Sequence, residues 1–232
     1  MNNPLIKIGL GVVILGGLLW YWLASDGNSD IVATLPERES SLSGVKIIAF
    51  GDSLTAGYGL PENESYPAQL ETALIAKGYQ VDVINSGVSG ETTRGNLERA
   101  PFIRKQNPDI VLLGIGGNDA LRLLPLEETK KNMSATIEVL KDGDNPPLVI
   151  LLKMQAPLNA GLGYKRDFDA LYEELAGEYG LILVPFLTTE LFLNSDNKLN
   201  DGIHYNATGY GKVVEQYLLP ELIEVLDQLN GD

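Results

Sequence analysis

A serine, a histidine and an aspartate in this sequence have the types and the spacing that nucleophilic catalysis needs. Ser53 directly follows an apolar run that ends in Gly51 and an acidic residue. Because the chain contains a single histidine, His204, an imidazole base for Ser53 must come from that residue. Asp201 lies three residues earlier, where a turn would bring its carboxylate to the imidazole and select one tautomer. Together these three side chains could transfer an acyl group.

The oxyanion that forms during acyl transfer needs hydrogen-bond donors. We expect them from the backbone N–H groups of Ser53 and Gly87 and from the side-chain amide of Asn118. Glycine admits close approach to the main chain, and an amide side chain carries two donor hydrogens. Each residue also has a plainer interpretation. Ser53 and Asn118 could cap helices, Gly87 could be a turn residue and His204 could lie on the surface. Their occurrence as a set favours catalysis.

The elements that must bring this set together alternate along the chain. Apolar runs predict five strands, at Val45–Phe50, Val81–Ile84, Asp109–Ile115, Leu148–Leu152 and Leu181–Val184. Helical periodicity predicts five helices, at Pro61–Lys77, Thr92–Gln106 with a break at Pro101, Leu126–Leu140, Tyr164–Tyr179, and Ala207–Leu229 with Pro220 inside it. This alternation predicts an α/β fold whose parallel sheet is covered on both faces. Ser53, Gly87 and Asn118 would then lie at the carboxyl edge of the sheet, where such folds bind ligands.

The overall composition excludes several classes of function. Over 232 residues the net charge is −14, and such an acidic chain repels the phosphates of nucleic acids. The chain has no cysteine, so it can form no disulfide, no thiolate metal site and no cysteine nucleophile. One histidine does not suffice for a histidine-rich metal site. We therefore expect no nucleic-acid partner, no metal and no cofactor.

Four blocks of sequence span nearly all of residues 45–232 and occur in the order of a known family. They are Gly51–Leu54, Asn85–Thr92, Gly114–Asp119 and Asp201–His204. In these blocks the chain resembles the SGNH hydrolases, also called GDSL-type esterases, and most of all their bacterial arylesterase, lysophospholipase and acyl-CoA thioesterase branch. It departs from the family pattern at one position, because Tyr205 stands where a proline often follows the histidine.

The resemblance implies a role for each member of the set. Ser53 would be the nucleophile, His204 the base and Asp201 the acid that orients the base. The amide of Ser53, together with Gly87 and Asn118, would form the oxyanion hole. The implied fold is a three-layer α/β/α sandwich with a mostly parallel, flavodoxin-like central sheet.

On this basis we expect a monomeric serine acyl hydrolase that cleaves carboxylic esters or thioesters through an acyl-enzyme. The loops after Asn118 and around Met154 are apolar, which favours a small-molecule or lipid-like ester. We place Asp52, Leu121, Met154 and Pro157 at the substrate. Two alternatives stay open. The chain could be an extracytoplasmic carbohydrate O-acetylesterase, or a non-catalytic binding module on the same fold.

Residues 1–24 have the composition of a membrane anchor. Leu5–Leu23 is apolar except for Lys7, and a helix of this length would span about 28 Å, close to the hydrocarbon thickness of a bilayer. The aromatic residues Trp20–Trp22 stand where an interfacial belt would lie. A cleaved secretory signal is the alternative, although the bulky Trp22 occupies a position where cleavage sites have a small residue. We therefore expect one uncleaved transmembrane helix before the fold.

The charges that flank this segment predict its orientation. Lys7 lies in the first turn of the span, whereas Asp26 and Asp30 follow it, and the positive-inside rule then places the rest of the chain outside the cytoplasm. We expect a single-pass protein of the bacterial inner membrane with a periplasmic catalytic domain, or a secreted protein if the segment is cleaved. Residues 25–43 are polar and serine-rich and predict a flexible linker, and residues 44–232 form the predicted hydrolase domain.

Overall fold

The computed structural model of the protein describes residues 44–231, which contain a five-stranded sheet. Its strands are β1 (Val45–Gly51), β2 (Val81–Gly87), β3 (Ile110–Gly114), β4 (Leu148–Lys153) and β5 (Ile182–Pro185). They lie in the order β2-β1-β3-β4-β5, and every neighbouring pair is parallel. This is the flavodoxin-like strand order, so the prediction of a parallel α/β sheet is confirmed.

Helices connect the strands. The α-helices of the described chain are α1 (Ser53–Ala56), α2 (Tyr66–Ala76), α3 (Thr93–Lys105), α4 (Gly117–Leu121), α5 (Leu126–Lys141), α6 (Leu162–Tyr179), α7 (Thr189–Leu193), α8 (Ala207–Val213) and α9 (Leu219–Asn230). Short 3₁₀ turns occur at Glu62–Glu64, Leu158–Ala160 and Ser195–Asn197, and a π-helical segment, Val214–Leu218, joins α8 to α9.

The helices form two layers because the crossovers between parallel strands keep one hand. The chain moves from β1 to β2 in one direction and from β2 to β3 and onward in the other, so α2 lies on one face and α3, α5 and α6 on the opposite face. In agreement, α3 packs on α5 and α5 on α6, whereas α2 packs on α8 and α9. Every residue of β3 is buried between these layers. This central strand is therefore apolar on both faces, as expected for a covered parallel sheet.

The strand register brings the candidate residues to one edge. Gly51, at the end of β1, lies opposite Gly87 of β2 and Gly114 of β3. The chain leaves β2 and β3 toward opposite sides of β1, and at such a reversal an open sheet forms a crevice. Ser53 lies two residues after Gly51, and Asn118 lies four residues after Gly114. Both residues therefore enter this crevice.

Two prolines behave differently from the sequence-based expectation. The predicted break at Pro101 is wrong, because α3 continues through this exposed residue while Ala100 and Ile103 pack in the core. The last helix was predicted to be continuous around Pro220, but the π-helical segment divides it. Pro220 lies in the first turn of α9, directly after the π-helical segment. Glu62–Glu64 is a 3₁₀ turn, so the predicted helix from Pro61 begins later, at Tyr66.

None of the helices within residues 44–231 is both long enough and apolar enough to cross a membrane. The predicted anchor, residues 1–24, and the predicted linker, residues 25–43, lie outside the described residues.

Candidate active site

Ser53 stands at a sharp turn from β1 into α1. Gly51 must be glycine here, because a Cβ atom would lie 2.2 Å from Thr55 Oγ1 and 2.4 Å from the Gly114 carbonyl oxygen. Asp52 caps the helix, since its Oδ1 accepts the Leu54 N–H at 3.0 Å. The turn therefore presents the Ser53 hydroxyl at the first position of a helix, where backbone N–H groups are free of helical partners.

His204 bridges Ser53 and Asp201. Its Nε2 lies 2.8 Å from Ser53 Oγ, and its Nδ1 lies 2.7 Å from Asp201 Oδ2. A carboxylate can only accept hydrogen bonds, so Nδ1 carries the proton and neutral His204 accepts the serine hydroxyl at Nε2. The two contacts complete the predicted arrangement of hydroxyl, base and orienting acid.

The carboxylate of Asp201 is held by donors from its own loop. Its second oxygen, Oδ1, accepts the N–H groups of Ile203 at 2.9 Å and His204 at 3.0 Å. Burial acts to raise the pKa of Asp201, but these donors and the His204 ring outweigh it and lower the pKa to about 2. Asp201 is therefore ionised at neutral pH and can stabilise a protonated His204.

Tyr205 holds the histidine loop by packing. Its side chain is fully buried, with its ring centroid 5.6 Å from that of Tyr210 and 6.2 Å from that of Phe192. The His204 carbonyl accepts the Leu199 N–H at 2.9 Å, which closes the loop. A buried aromatic side chain thus anchors the chain at the position where the family pattern often has a proline.

Asn118 lies at the crevice and bonds to Asp52. Its Nδ2 donates to Asp52 Oδ2 at 3.2 Å, and this bond uses one of the two amide hydrogens. Asp52 is 1% exposed, and its burial raises its pKa to about 6. The placement of Asp52 at the substrate stays a prediction, and in the structure its two oxygens accept from the Leu54 N–H and from Asn118 Nδ2. Asp52 thereby orients the Asn118 amide.

Gly87 reaches the same edge, and the packing of β2 is a second reason for glycine at this position. A Cβ atom at Gly87 would lie 2.1 Å from the Ala56 backbone nitrogen, so glycine is needed for β2 to pack against α1. The Gly87 N–H donates to Asn85 Oδ1 at 3.0 Å. An oxyanion bound to the Gly87 N–H would either share this hydrogen with Asn85 Oδ1 or displace that oxygen.

An apolar groove, open to solvent, adjoins the nucleophile. Leu54, Gly117 and Ile203 line it close to Ser53 and His204. The predicted substrate residues Leu121, Met154 and Pro157 line it further along, together with Ala156, Leu158, Leu187, Phe192 and Leu193. The groove also has Lys165 in its lining, whose Nζ is paired with Asp169 Oδ2 at 2.6 Å.

Tyr58 contacts the site without having been predicted. Its ring centroid lies 4.7 Å from that of His204 at an interplanar angle of 37°, and half of the residue is exposed. The signal in the sequence is an aromatic residue directly after a glycine, Gly57. In the structure Gly57 has a φ of 73° and ends α1. Tyr58 therefore forms one wall of the space beside the imidazole.

Residues 49–212 match the GDSL-like Lipase/Acylhydrolase family. The chain belongs to this family. It is 34% identical over 189 residues to an arylesterase of Vibrio mimicus, a match that covers 81% of this chain and 92% of the relative. It is 34% identical over 161 residues to thioesterase 1/protease 1/lysophospholipase L1 of Escherichia coli strain K12, covering 69% of this chain and 75% of the relative.

Structural comparison agrees with the sequence relatives. The crystal structure of AlinE4, an SGNH-hydrolase family esterase, matches 81% of this chain and 98% of its own with a TM-score of 0.65 and 38% identity. Since the family, the named relatives and the fold coincide, the protein is an ester hydrolase of the SGNH family.

Proposed function

We propose that the protein hydrolyses carboxylic esters and thioesters through an acyl-enzyme on Ser53. The observation that carries the proposal is the continuous hydrogen-bonded chain from Ser53 Oγ through His204 to Asp201. In the first step His204 Nε2 takes the hydroxyl proton while Ser53 Oγ forms a bond to the carbonyl carbon. Ionised Asp201 stabilises the imidazolium and keeps the ring in the productive orientation.

The oxyanion of this step is proposed to bind at the sheet edge. The N–H groups of Ser53 and Gly87 and the second amide hydrogen of Asn118 supply three donors from three separate strand ends. Their pre-set orientation makes them more effective in the transition state than water would be. The bond from Asn118 to Asp52 supports this assignment, because it fixes the plane of the amide.

The remaining steps use the same residues, and His204 now gives up the proton that it took from Ser53. The oxyanion collapses and breaks the carbon–oxygen or carbon–sulfur bond to the leaving group, which takes its proton from His204. Water then gives a proton to His204 and attacks the acyl carbon. The second tetrahedral intermediate releases the acid and returns the proton to Ser53 Oγ.

The groove favours an apolar acyl group longer than acetyl. It begins beside Ser53 at Leu54 and continues past Met154 to Pro157. Burial of a hydrocarbon chain there gains about 0.8 kcal/mol for each CH₂ group. The Vibrio mimicus and Escherichia coli relatives are named arylesterase and thioesterase/lysophospholipase, which supports the same class. A carbohydrate O-acetylesterase would leave most of the groove unused, and a binding module would not need the hydrogen-bonded Ser53.

We further propose that the enzyme works as a monomer on the periplasmic side of the bacterial inner membrane. One copy of the chain contributes every residue of the site described above. The apolar segment Leu5–Leu23, with Lys7 in its first turn and Asp26 after it, supports a membrane anchor of that orientation. A cleaved signal with secretion is the alternative, and the N-terminal sequence of the mature protein distinguishes the two.

A chain-length series tests the substrate class. The full protein is assayed with p-nitrophenyl acetate, butyrate, octanoate and palmitate, with acyl-CoA and lysophospholipids, and with acetylated sugars. We expect kcat/KM to rise from acetate to a medium-chain ester. Loss of activity beyond acetate would instead indicate an acetylesterase. Covalent labelling by a fluorophosphonate probe that is absent in Ser53→Ala identifies the nucleophile, and labelling that persists in this variant would refute it.

A further inference from the structure

A guanidinium group that takes no part in the steps above joins the carboxyl ends of β1 and β2. Arg99 lies on α3, one turn before the buried Ile103. Its Nη2 donates to the carbonyl oxygens of Gly51 at 3.3 Å and Ser86 at 3.1 Å. These carbonyls belong to two different strands, and each lies within two residues of a proposed oxyanion donor. A single side chain therefore contacts both sides of the oxyanion site from behind.

Glu91 fixes the orientation of this guanidinium. Its Oε1 accepts Arg99 Nε at 2.8 Å, its Oε2 accepts Arg99 Nη2, and Asn96 Nδ2 donates to the same Oε2 at 2.6 Å. The Arg99 guanidinium also lies over the Phe50 ring, 4.8 Å from its centroid. The Glu91 side chain is 10% exposed and that of Arg99 is 26% exposed. Partners on several sides hold the planar fork in one place, which lysine could not reproduce.

The last backbone hydrogen bond between the two strand ends lies at this point. The Val88 N–H donates to the Gly51 carbonyl at 3.0 Å, and after Gly51 the chain turns into α1. Arg99 adds a donor to this last carbonyl and links it to Ser86. The distance between the N–H groups of Ser53 and Gly87 therefore depends on Arg99 as well as on the sheet.

We propose that Arg99, oriented by Glu91, is a positioning residue that holds the Ser53 and Gly87 N–H groups at the spacing the oxyanion requires. This inference rests on the proposed acyl-enzyme mechanism. Arg99 touches no reacting atom, and its effect passes through the two carbonyls it binds. Because oxyanion donors act most strongly in the transition state, its loss lowers kcat and leaves KM nearly unchanged.

Substitution of Arg99 tests the proposal, with a matched control on the same helix. Arg94 is paired with Glu98 at 3.5 Å on the exposed face of α3, where its side chain is 82% exposed. The full protein is assayed with p-nitrophenyl butyrate at a temperature where circular dichroism shows each variant folded. We expect Arg99→Met to lower kcat about 100-fold with KM within about twofold, as for a misplacement of about 1 Å. Arg99→Lys should lose at least about tenfold, and Arg94→Met should stay within twofold.

A double variant separates positioning from stability. Arg99→Met leaves the Glu91 carboxylate without its arginine, which destabilises the fold. The double variant Glu91→Gln/Arg99→Met removes both charges, so its unfolding midpoint should return toward that of the wild type. The two carbonyls still lack their donor, and kcat should therefore stay low. A double variant that regains kcat within threefold of the wild type, or an Arg99→Met variant with unchanged kcat, overturns the proposal.

The outcome for the wild type distinguishes the two levels of inference. An active, fluorophosphonate-labelled wild type with unaffected Arg99 variants overturns the positioning role alone. A wild type that is neither labelled nor active on any ester overturns the acyl-enzyme mechanism itself.

Discussion

The histidine loop (residues 199–206) and the oxyanion edge (Asp52, Ser53, Gly87 and Asn118) meet at one hydroxyl but are built in different ways. In the loop, the bonds that hold the Asp201 carboxylate join residues at most three positions apart. At the edge, the bond from Asn118 to Asp52 joins residues 66 positions apart. The loop is partly exposed, whereas Asp52 and Asn118 are buried. The histidine loop is therefore held by contacts local in sequence, whereas the oxyanion edge depends on contacts that the sheet brings together.

The two carboxylates show what this difference does to charge. In Asp201 the loop donors outweigh burial and lower the pKa to about 2. In Asp52 burial outweighs the donors from Leu54 and Asn118 and raises the pKa to about 6. An exposed loop can keep a carboxylate ionised with short-range bonds, while a buried edge holds its carboxylate at a cost in stability.

The largest effect should come from His204 and Ser53, the pair at which the histidine loop and the oxyanion edge meet. His204→Ala removes the base, and we expect kcat to fall roughly 10⁶-fold, with Ser53→Ala equally impaired and the double variant no worse. Steady-state assays of all three variants with p-nitrophenyl butyrate check this, with circular dichroism to confirm folding. A His204→Ala enzyme within 100-fold of the wild type would contradict the assigned base.

A smaller effect is expected for the oxyanion donor Asn118, because several donors stabilise the same charge. Asn118→Ala should lower kcat about 100- to 1,000-fold with little change in KM, because its amide stabilises charge that develops in the transition state. Asn145→Ala, at an exposed position outside the site, serves as the control. A loss below tenfold in Asn118→Ala would reduce its role to the packing of α4.

Asp52→Asn measures the cost of the buried carboxylate. The folded chain binds the Asp52 proton more tightly than the unfolded chain, whose pKa is 3.8, so this group lowers the free energy of unfolding as pH rises from about 4 to about 6. The shift of roughly two units corresponds to about 3 kcal/mol. Urea unfolding at pH 4 and pH 7 should show the variant gaining about this amount relative to the wild type. A constant difference between the two proteins would refute the raised pKa.

Asp201→Asn should show the opposite sign and a smaller size. The lowered pKa means that ionised Asp201 stabilises the fold above about pH 4, and that this contribution disappears as the pH falls through 2. Since the side chain is 35% exposed, we expect less than about 1 kcal/mol. The unfolding free energies of the wild type and the variant should converge between pH 5 and pH 2. Divergence over this range would contradict the assignment.

The histidine loop and the oxyanion edge also differ in how well they could be predicted. The spacing of Asp201 and His204 predicts their contact because three residues fit in one turn, and the structure contains that contact. For Asp52 the adjacency to Ser53 did not predict that the side chain turns inward to Leu54 and Asn118. Whether a neighbouring carboxylate faces solvent or core depends on the backbone turn, which composition does not specify.

Arg99 was missed in the sequence for a related reason. Arg99 sits on the inward face of α3 beside the buried Asn96 and Ala100, and a cation on that stripe is the available signal. Its partners Gly51 and Ser86 are backbone carbonyls, which every residue has, so no residue type marks them.

The sequence by itself determined the alternation of strands and helices, the candidate nucleophile and base, and the local contact between Asp201 and His204. The alternation follows from the periodicity of apolar residues, and the base follows from the presence of a single histidine. The contact follows from the spacing of three residues between Asp201 and His204. The tertiary structure alone decided the 2.8 Å contact between Ser53 and His204, which are 151 residues apart, the bond from Asn118 to Asp52, and the link that Arg99 makes between two strand ends. Such contacts depend on how the strands pair and how the helices cover them, because packing brings together groups that the chain keeps far apart.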